Sequence, residues 1–372
     1  MSARPHIEDV DHALAAAFPR EWAEEWDRVG LSAGDPDREV SGVLVTLDPT
    51  PNAIGRAASL GANLLVSHHP VALSPPSRLV PGPGPAGALF AALDAGVALI
   101  AEHTNLDRAP EGARSLPQAL GLAPLEPVET RLQPMTRITV YAPLEAAEAV
   151  IDALTGAGAG RIGAYERSAF TSDGTGHFTP MRGAMPHIGA PDVAERASEV
   201  RIETVCARAI AARVVSAARV AHPYEEPLIT AEDVSIARSS ARMGMRCASD
   251  VPLTLGDLAE RVRVALGVTA RVWGGGPDAP VGSVVTATGS AGSLVVDVIA
   301  AGADTLICGE VRYHDALDAA ESGLSIVEVG HDVSEWPLVE VLARAVLETP
   351  GIDPGIVHID AAEAAWWTPD GR

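Results

Sequence analysis

The side chains in this chain that could do metal or proton chemistry are His68, His69, His103, Asp107, Glu310, His314, His331 and Glu335, and most of them fall where an apolar run stops. Imidazole nitrogens and carboxylate oxygens together suit divalent transition ions such as Zn, Fe, Mn or Co. The sharpest stretch is Leu64-Leu65-Val66-Ser67-His68-His69-Pro70. A brief apolar run bounded by turn residues predicts a strand covered on both faces, and Pro70, with no amide donor, takes the backbone out of the sheet. His68 and His69 then sit at the carboxyl end of the strand, where open α/β sheets place their sites. Adjacent side chains in an extended chain point in opposite directions, so the pair would serve one metal badly but could each serve one of two neighbouring metals. Taken alone, His-His-Pro is as well read as two polar residues opening a loop.

Two other strand ends carry the same chemistry. Val97 to Ala101 runs directly into Glu102-His103-Thr104-Asn105-Leu106-Asp107, and Ser325 to Val329 ends at Gly330-His331-Asp332-Val333-Ser334-Glu335. His331 and Glu335 are four apart, so they share one helical face if a helix starts there. A lone His-x3-Glu means little. With His68, His69 and Asp107 it makes a coherent nitrogen and oxygen set for two divalent ions, and such a set leaves coordination positions open for a water and a substrate. Two ions about 3.5 to 4 Å apart would suit metal-dependent hydrolysis. His103, Glu310 and His314 are candidates to orient ligands or carry protons; the plainer reading makes each an ordinary hydrogen-bonding residue near a strand end.

The elements that must position these residues are read from periodicity. Ile7, Val10, Leu14 and Phe18 have helical spacing, Val40 to Leu47 is strand-like, Asp48-Pro49-Thr50-Pro51 turns into a helix, and Gly61 is placed to stop it. Ser74 to Gly87 reads as a Pro- and Gly-dense loop, followed by a helix around Leu89 to Leu93. From about residue 126 the predicted order is strand (Arg137 to Ala142), helix (Leu144 to Leu154), strand (Tyr165 to Ser172), strand (Val200 to Cys206), helix (Ala207 to Val220) and strand (Leu228 to Val234). That βαββαβ order is the split ferredoxin-like arrangement, a compact unit of its own. The Gly156 to Gly160 run within it lacks the strand before and helix after that a phosphate loop needs, so it reads as a turn.

After Pro252 the earlier pattern returns. Gly61-Ala62-Asn63-Leu64-Leu65-Val66 is echoed by Gly302-Ala303-Asp304-Thr305-Leu306-Ile307, and Ala95 to Ile100 by Ser322 to Val327. The expected architecture is therefore α/β. Two related halves, residues 1–125 and 241–372, form one lobe, and an inserted ferredoxin-like α+β domain spans residues 126–240.

Composition narrows the chemistry. The 372 residues carry a net charge of −22, which opposes a general nucleic-acid or anionic-membrane role, and 47% hydrophobic content suits a globular chain. No uncharged run approaches the roughly 18 to 20 apolar residues of a membrane span, and the amino terminus lacks the order of a signal peptide, so a cytoplasmic location is expected. The sequence contains no lysine, which removes Schiff-base chemistry and the phosphate-loop lysine. Cys206, Cys247 and Cys308 are scattered and read as small buried apolar residues.

The chain resembles the NIF-three-like dinuclear metal-centre family, whose members carry the name GTP cyclohydrolase 1 type 2 homologue. The resemblance rests on Trp26-Asp27-Arg28-Val29-Gly30-Leu31, Ser67-His68-His69-Pro70, His103-Thr104-Asn105-Leu106-Asp107, Gly176-His177-Phe178-Thr179-Pro180, His222-Pro223-Tyr224-Glu225-Glu226-Pro227, and Gly330-His331 through Ser334-Glu335. It implies that His68, His69, Asp107, His331 and Glu335 hold two divalent metal ions, with Glu335 bridging. It also implies a PII-like insert and a homohexamer; the further partner expected is an unknown small-molecule substrate. Arg28 replaces the asparagine usual after Trp-Asp, and Thr288-Gly289-Ser290-Ala291-Gly292-Ser293 follows the family's Gly-rich segment loosely.

Overall fold

The computed structural model describes residues 4–360, so residues 361–372 of the expected third segment lie outside the described residues. The described residues divide into two compact units, one made of residues 4–130 and 240–360 and the other of residues 131–239.

In the first unit, three short apolar segments form parallel neighbours in a five-stranded sheet: Val43–Thr46, Leu64–Ser67 and Ala98–Ala101. All three are buried along their whole length, as the unbroken apolar runs require of strands covered on both faces. Val357–Ile359 adds a parallel edge and Gly30–Ala33 an antiparallel one. A second, six-stranded sheet repeats the parallel core with Val284–Ser290, Thr305–Glu310 and Ser325–Glu328, flanked by antiparallel strands.

The helix His331–Leu347 is common to the cores of both sheets. Val333 packs in the cluster containing Ile307 and Val327, whereas Leu338, Val339 and Leu342 pack with Val45, Leu64 and Val66. A helix apolar on nearly every side must be covered on nearly every side. The sites at the two sets of strand ends are thereby tied to one rigid element.

Several boundaries depart from the sequence reading. The loop expected from Ser74 to Gly87 gives way at Gly84 to a helix, Gly84–Ala95, because Pro85 falls in the first turn, where its missing N–H costs nothing. Gly87 is required there, since a Cβ would lie 1.7 Å from the Gly82 carbonyl oxygen. Asp107 lies on a short helix, Thr104–Arg108, rather than directly at a strand end, and Pro110 opens a further helix, Pro110–Ala119.

The second unit is a four-stranded antiparallel sheet in the order Phe170–Phe178, Glu195–Cys206, Gln133–Pro143, Ile229–Ile236. The helices Ala147–Gly156 and Ala211–Ala221 supply Val150, Ile151, Leu154, Val214 and Ala218 to its core. Strand, helix, strand, strand, helix, strand is the order read from the sequence. The strand expected at Tyr165 begins only at Phe170, because Ser168 N–H still bonds to the Gly160 carbonyl and Ile162 pairs with Tyr165 in a tight turn. Gly158 and Gly160 take positive φ there, +101° and +76°, confirming the turn reading of the glycine run.

Candidate metal centre

His68 and His69 follow the last residue of the Leu64–Ser67 strand, and their amides still bond to the Thr46 and Leu47 carbonyls at 3.2 and 3.0 Å. The expectation that adjacent imidazoles diverge applies to extended backbone, and here the chain has bent. The Ser67 hydroxyl donates to the His69 carbonyl at 2.7 Å, and the two rings lie 5.1 Å apart. Both then face the same buried carboxylate. His69 Nε2 is 3.0 Å from Glu335 Oε2, and His68 Nε2 is 3.6 Å from Oε1 and 3.8 Å from Asp107 Oδ1. His331 Nε2 comes to 3.1 Å of Glu335 Oε1, so the four-residue spacing does place both on one face of the helix.

Each imidazole is held by its other nitrogen. His68 Nδ1–H donates to the Glu102 carbonyl at 2.9 Å; His69 Nδ1 meets Asp48 Oδ1 at 2.8 Å, His103 Nδ1 meets Asp27 Oδ1 at 2.9 Å, and His331 Nδ1 meets Glu310 Oε1 at 3.1 Å. A carbonyl can only accept, so neutral His68 carries its proton on Nδ1 and turns the Nε2 lone pair toward the carboxylates. Oxygen acceptors behind metal-binding histidines do the same work, fixing ring orientation and raising ligand basicity. Thr288 Oγ1 donates to Asp107 Oδ1 at 2.6 Å, fixing that carboxylate as well.

The fit to a cation is tested by the atoms left over. His68 Nε2 is buried with no hydrogen-bond partner, its nearest carboxylate oxygens 3.6 and 3.8 Å away, an expensive state for a polar atom unless something else occupies the space between the ligands. Three groups have ligand atoms within 4.8 Å of one another: His68, His69 and His103; His69, His331 and Glu335; His68, Asp107 and Glu335. These groups could hold a metal ion, and the nitrogen and oxygen donor set suits it.

Charge in the metal-free protein runs the same way. Burial disfavours the charged His69 ring, but bonds to Asp48 and Glu335 outweigh it and push the ring up to about 10. His331 is pushed up to about 9, chiefly by Glu335. Burial works against ionised Glu335, yet His331, His68 and His69 hold its carboxyl well below the usual carboxylate range. Protons are thus drawn to where a cation would sit.

Glu310, a candidate for orienting ligands or carrying protons, lies against His331, with Oε1 3.1 Å from its Nδ1. His103 stands with its ring 5.2 Å from that of His68. Its partner Asp27 is held down to about 2: burial raises it, and bonds from His103 and Thr104 more than reverse that. His314 is not brought to the cluster. It is exposed on the helix Tyr313–Glu321, with its ring against Tyr313. Asp27, Asp48 and Thr288 were not singled out from sequence as supporting residues; for Asp27 the only signal was its place in the Trp-Asp-Arg motif. Beside the cluster lies a cavity of about 280 Å³, lined among others by Trp26, Leu73, His103, Met243 and Leu294.

Among relatives, a Mycobacterium bovis GTP cyclohydrolase 1 type 2 homolog is 33% identical over 344 residues, 91% of this chain and 89% of that protein. The Bacillus subtilis protein of the same name is 34% identical over 316 residues, 84% of each. Of solved structures, a Bacillus cereus protein related to NIF3 is 30% identical with a TM-score of 0.67, covering 97% of this chain and 98% of its own. Staphylococcus aureus protein SA1388 is 26% identical with a TM-score of 0.70, covering 99% of both. The profile of Duf34/NIF3 (NGG1p interacting factor 3) matches residues 5–361, a span that includes every residue of the cluster. With the strand-end histidines, the Glu335 helix and near-complete coverage all in agreement, the chain belongs to the Duf34/NIF3 family.

Proposed function

We propose that the protein is a dinuclear metal-dependent hydrolase acting on a small molecule. The observation that carries this reading is the sharing of Glu335. It is common to a group with His69 and His331 and to a group with His68 and Asp107, so one carboxylate would bridge two ion positions and divide the adjacent histidines between them. Bound there, two divalent ions of the Zn, Fe, Mn or Co type supply an activated water and stabilise an oxyanion. The chain itself fixes the imidazoles through Glu102, Asp48, Glu310 and Asp27, and Trp26 and Leu73 add apolar surface to the adjoining cavity. His103, held through Nδ1, presents Nε2 to the cluster as a proton carrier.

No described helix is long and apolar enough to cross a membrane. A homohexamer and a PII-like insert are proposed on the family resemblance, and light scattering tests the former. The function itself is tested by elemental analysis and by screening metal-loaded protein against phosphoesters, peptides and nucleotides. GTP belongs in the screen because the relatives bear a cyclohydrolase name. Two ions per chain with turnover of one class supports the hydrolase; two ions with no turnover favours a metal-handling or regulatory role.

A further inference from the structure

A second, larger cavity, about 680 Å³, lies wholly within the unit of residues 131–239, remote in sequence from every metal-cluster residue. Two motifs that the metal chemistry leaves unused meet there. Phe178, from Gly176-His177-Phe178-Thr179-Pro180, stands 5.9 Å from the ring of Tyr224, from His222-Pro223-Tyr224-Glu225-Glu226-Pro227. His187 adds a ring 6.1 Å from Tyr224, so aromatic faces line one side.

The wall is built in detail. Buried His222 accepts the Tyr224 amide on Nδ1 at 3.0 Å and donates Nε2–H to the Tyr141 carbonyl at 2.8 Å, which fixes the turn carrying Tyr224. The Tyr224 hydroxyl donates to Glu199 Oε1 at 3.0 Å. Glu199 in turn needs Gly176, because a Cβ there would lie 2.4 Å from its carboxyl carbon. Met185 N–H bonds to both Glu225 oxygens, at 3.1 and 3.2 Å, joining the 179–194 segment to the second motif.

Charge decides what such a cavity takes. Of the lining carboxylates, Glu226 is paired with Arg219, and the lining cation Arg201 is already engaged with Glu203. Neither Glu199, which accepts from the Tyr224 hydroxyl, nor Glu225, which accepts from the Met185 amide, is ion-paired with an arginine among the described residues; Asp173, which pairs with the core residue Val200, projects from the other face of the sheet. An anion such as a nucleotide is disfavoured there. Nor do the lining residues join any of the groups of three or more metal-ligand side chains found among the described residues. Uncompensated carboxylates beside aromatic faces attract an ammonium or guanidinium, through charge and through the ring quadrupole.

We propose that this cavity binds a small organic cation, an amine or guanidine on a short apolar body. The volume falls in the range of small-molecule sites, roughly 300 to 1,000 Å³. The test titrates agmatine and spermidine into the full-length protein by calorimetry at low salt, with AMP as the anionic control. Saturable binding of at least one cation, weakened roughly tenfold or more by Glu199→Gln, supports the proposal. Glu199→Gln preserves shape and still accepts from the Tyr224 hydroxyl; exposed Asp173, on the other face of the sheet, serves as the control, and Asp173→Asn should leave the cation affinity unchanged. Absence of saturable binding, binding indifferent to Glu199→Gln, an equal loss of binding in Asp173→Asn, or preferential binding of AMP overturns it.

Discussion

Glu335 and His69 meet at 3.0 Å across the middle of the cluster, oxygen Oε2 against nitrogen Nε2, although they come from a helix and from a strand end 266 positions earlier in the chain. The other Glu335 oxygen faces His331 at 3.1 Å and His68 at 3.6 Å. One buried carboxylate therefore holds together groups that would otherwise be held by nothing charged between them. Glu335→Ala should empty both ion positions or leave one weakly filled, as read by elemental analysis after reconstitution and desalting. Retention of two tightly held ions would falsify the bridging role.

Glu335 occupies its place because residue 289 is glycine. Gly289 has φ +60°, and a Cβ there would stand 2.3 Å from Glu335 Oε1. Gly289→Ala forces the carboxylate to move and also puts a side chain in the left-handed region, at about 1 to 2 kcal/mol. The expected result is a folded protein, melting a few degrees lower, with metal affinity down by about tenfold or more, a change of about 1.4 kcal/mol. Wild-type metal affinity in a folded Gly289→Ala protein contradicts the packing argument.

What could be read from the sequence follows the range of the interactions. His68, His69, Asp107, His331 and Glu335 were visible because ligand-type residues interrupt apolar runs, and strand ends are where a backbone turns out of a sheet. Asp27, which grips His103 from 76 positions away, showed only as part of the Trp-Asp-Arg motif, and Asp48, which grips His69, looks like any surface aspartate until the chain folds. The helix Thr104–Arg108 was missed because five residues carry too little periodicity, and Pro110–Ala119 because Pro117 interrupts its pattern. His314 misled for the opposite reason: it follows a strand that does reach the site, but the chain has already turned into an exposed helix.

Stability of the metal-free protein should depend on pH in a definite direction. His69, at about 10, and His331, at about 9, lie above the ordinary histidine value of 6.5, so the folded state binds more protons than the unfolded chain between these values. Their stabilising effect is fully present below about pH 6.5 and is lost as pH rises through 9 to 10. Glu335 is depressed, so its contribution is present above 4.5 and is lost as pH falls through its lowered value. Thermal melts of apo protein should therefore fall between pH 7 and 10. Metal binding displaces these protons, so metal affinity should rise over the same interval. An apo melting temperature that climbs steadily to pH 10 would contradict the ion pairing described.

His103 should respond differently from Glu335. It belongs with His68 and His69, but to neither group that contains Glu335, and its Nδ1 is committed to Asp27. Its loss removes an imidazole without removing negative charge from between the ions, so both positions should still fill at saturating metal. Losing a residue that supports rather than supplies the site typically costs about 10- to 100-fold in affinity or activity. His103→Ala is thus expected to carry two ions per chain, to bind them more weakly, and to lose any hydrolytic turnover found for the wild type. Asp27→Asn should move in the same direction by a smaller amount, because it loosens the ring without deleting it. Elemental analysis alongside a turnover assay separates the possibilities: one empty position in His103→Ala makes His103 a ligand in its own right, and unchanged turnover removes it from the chemistry.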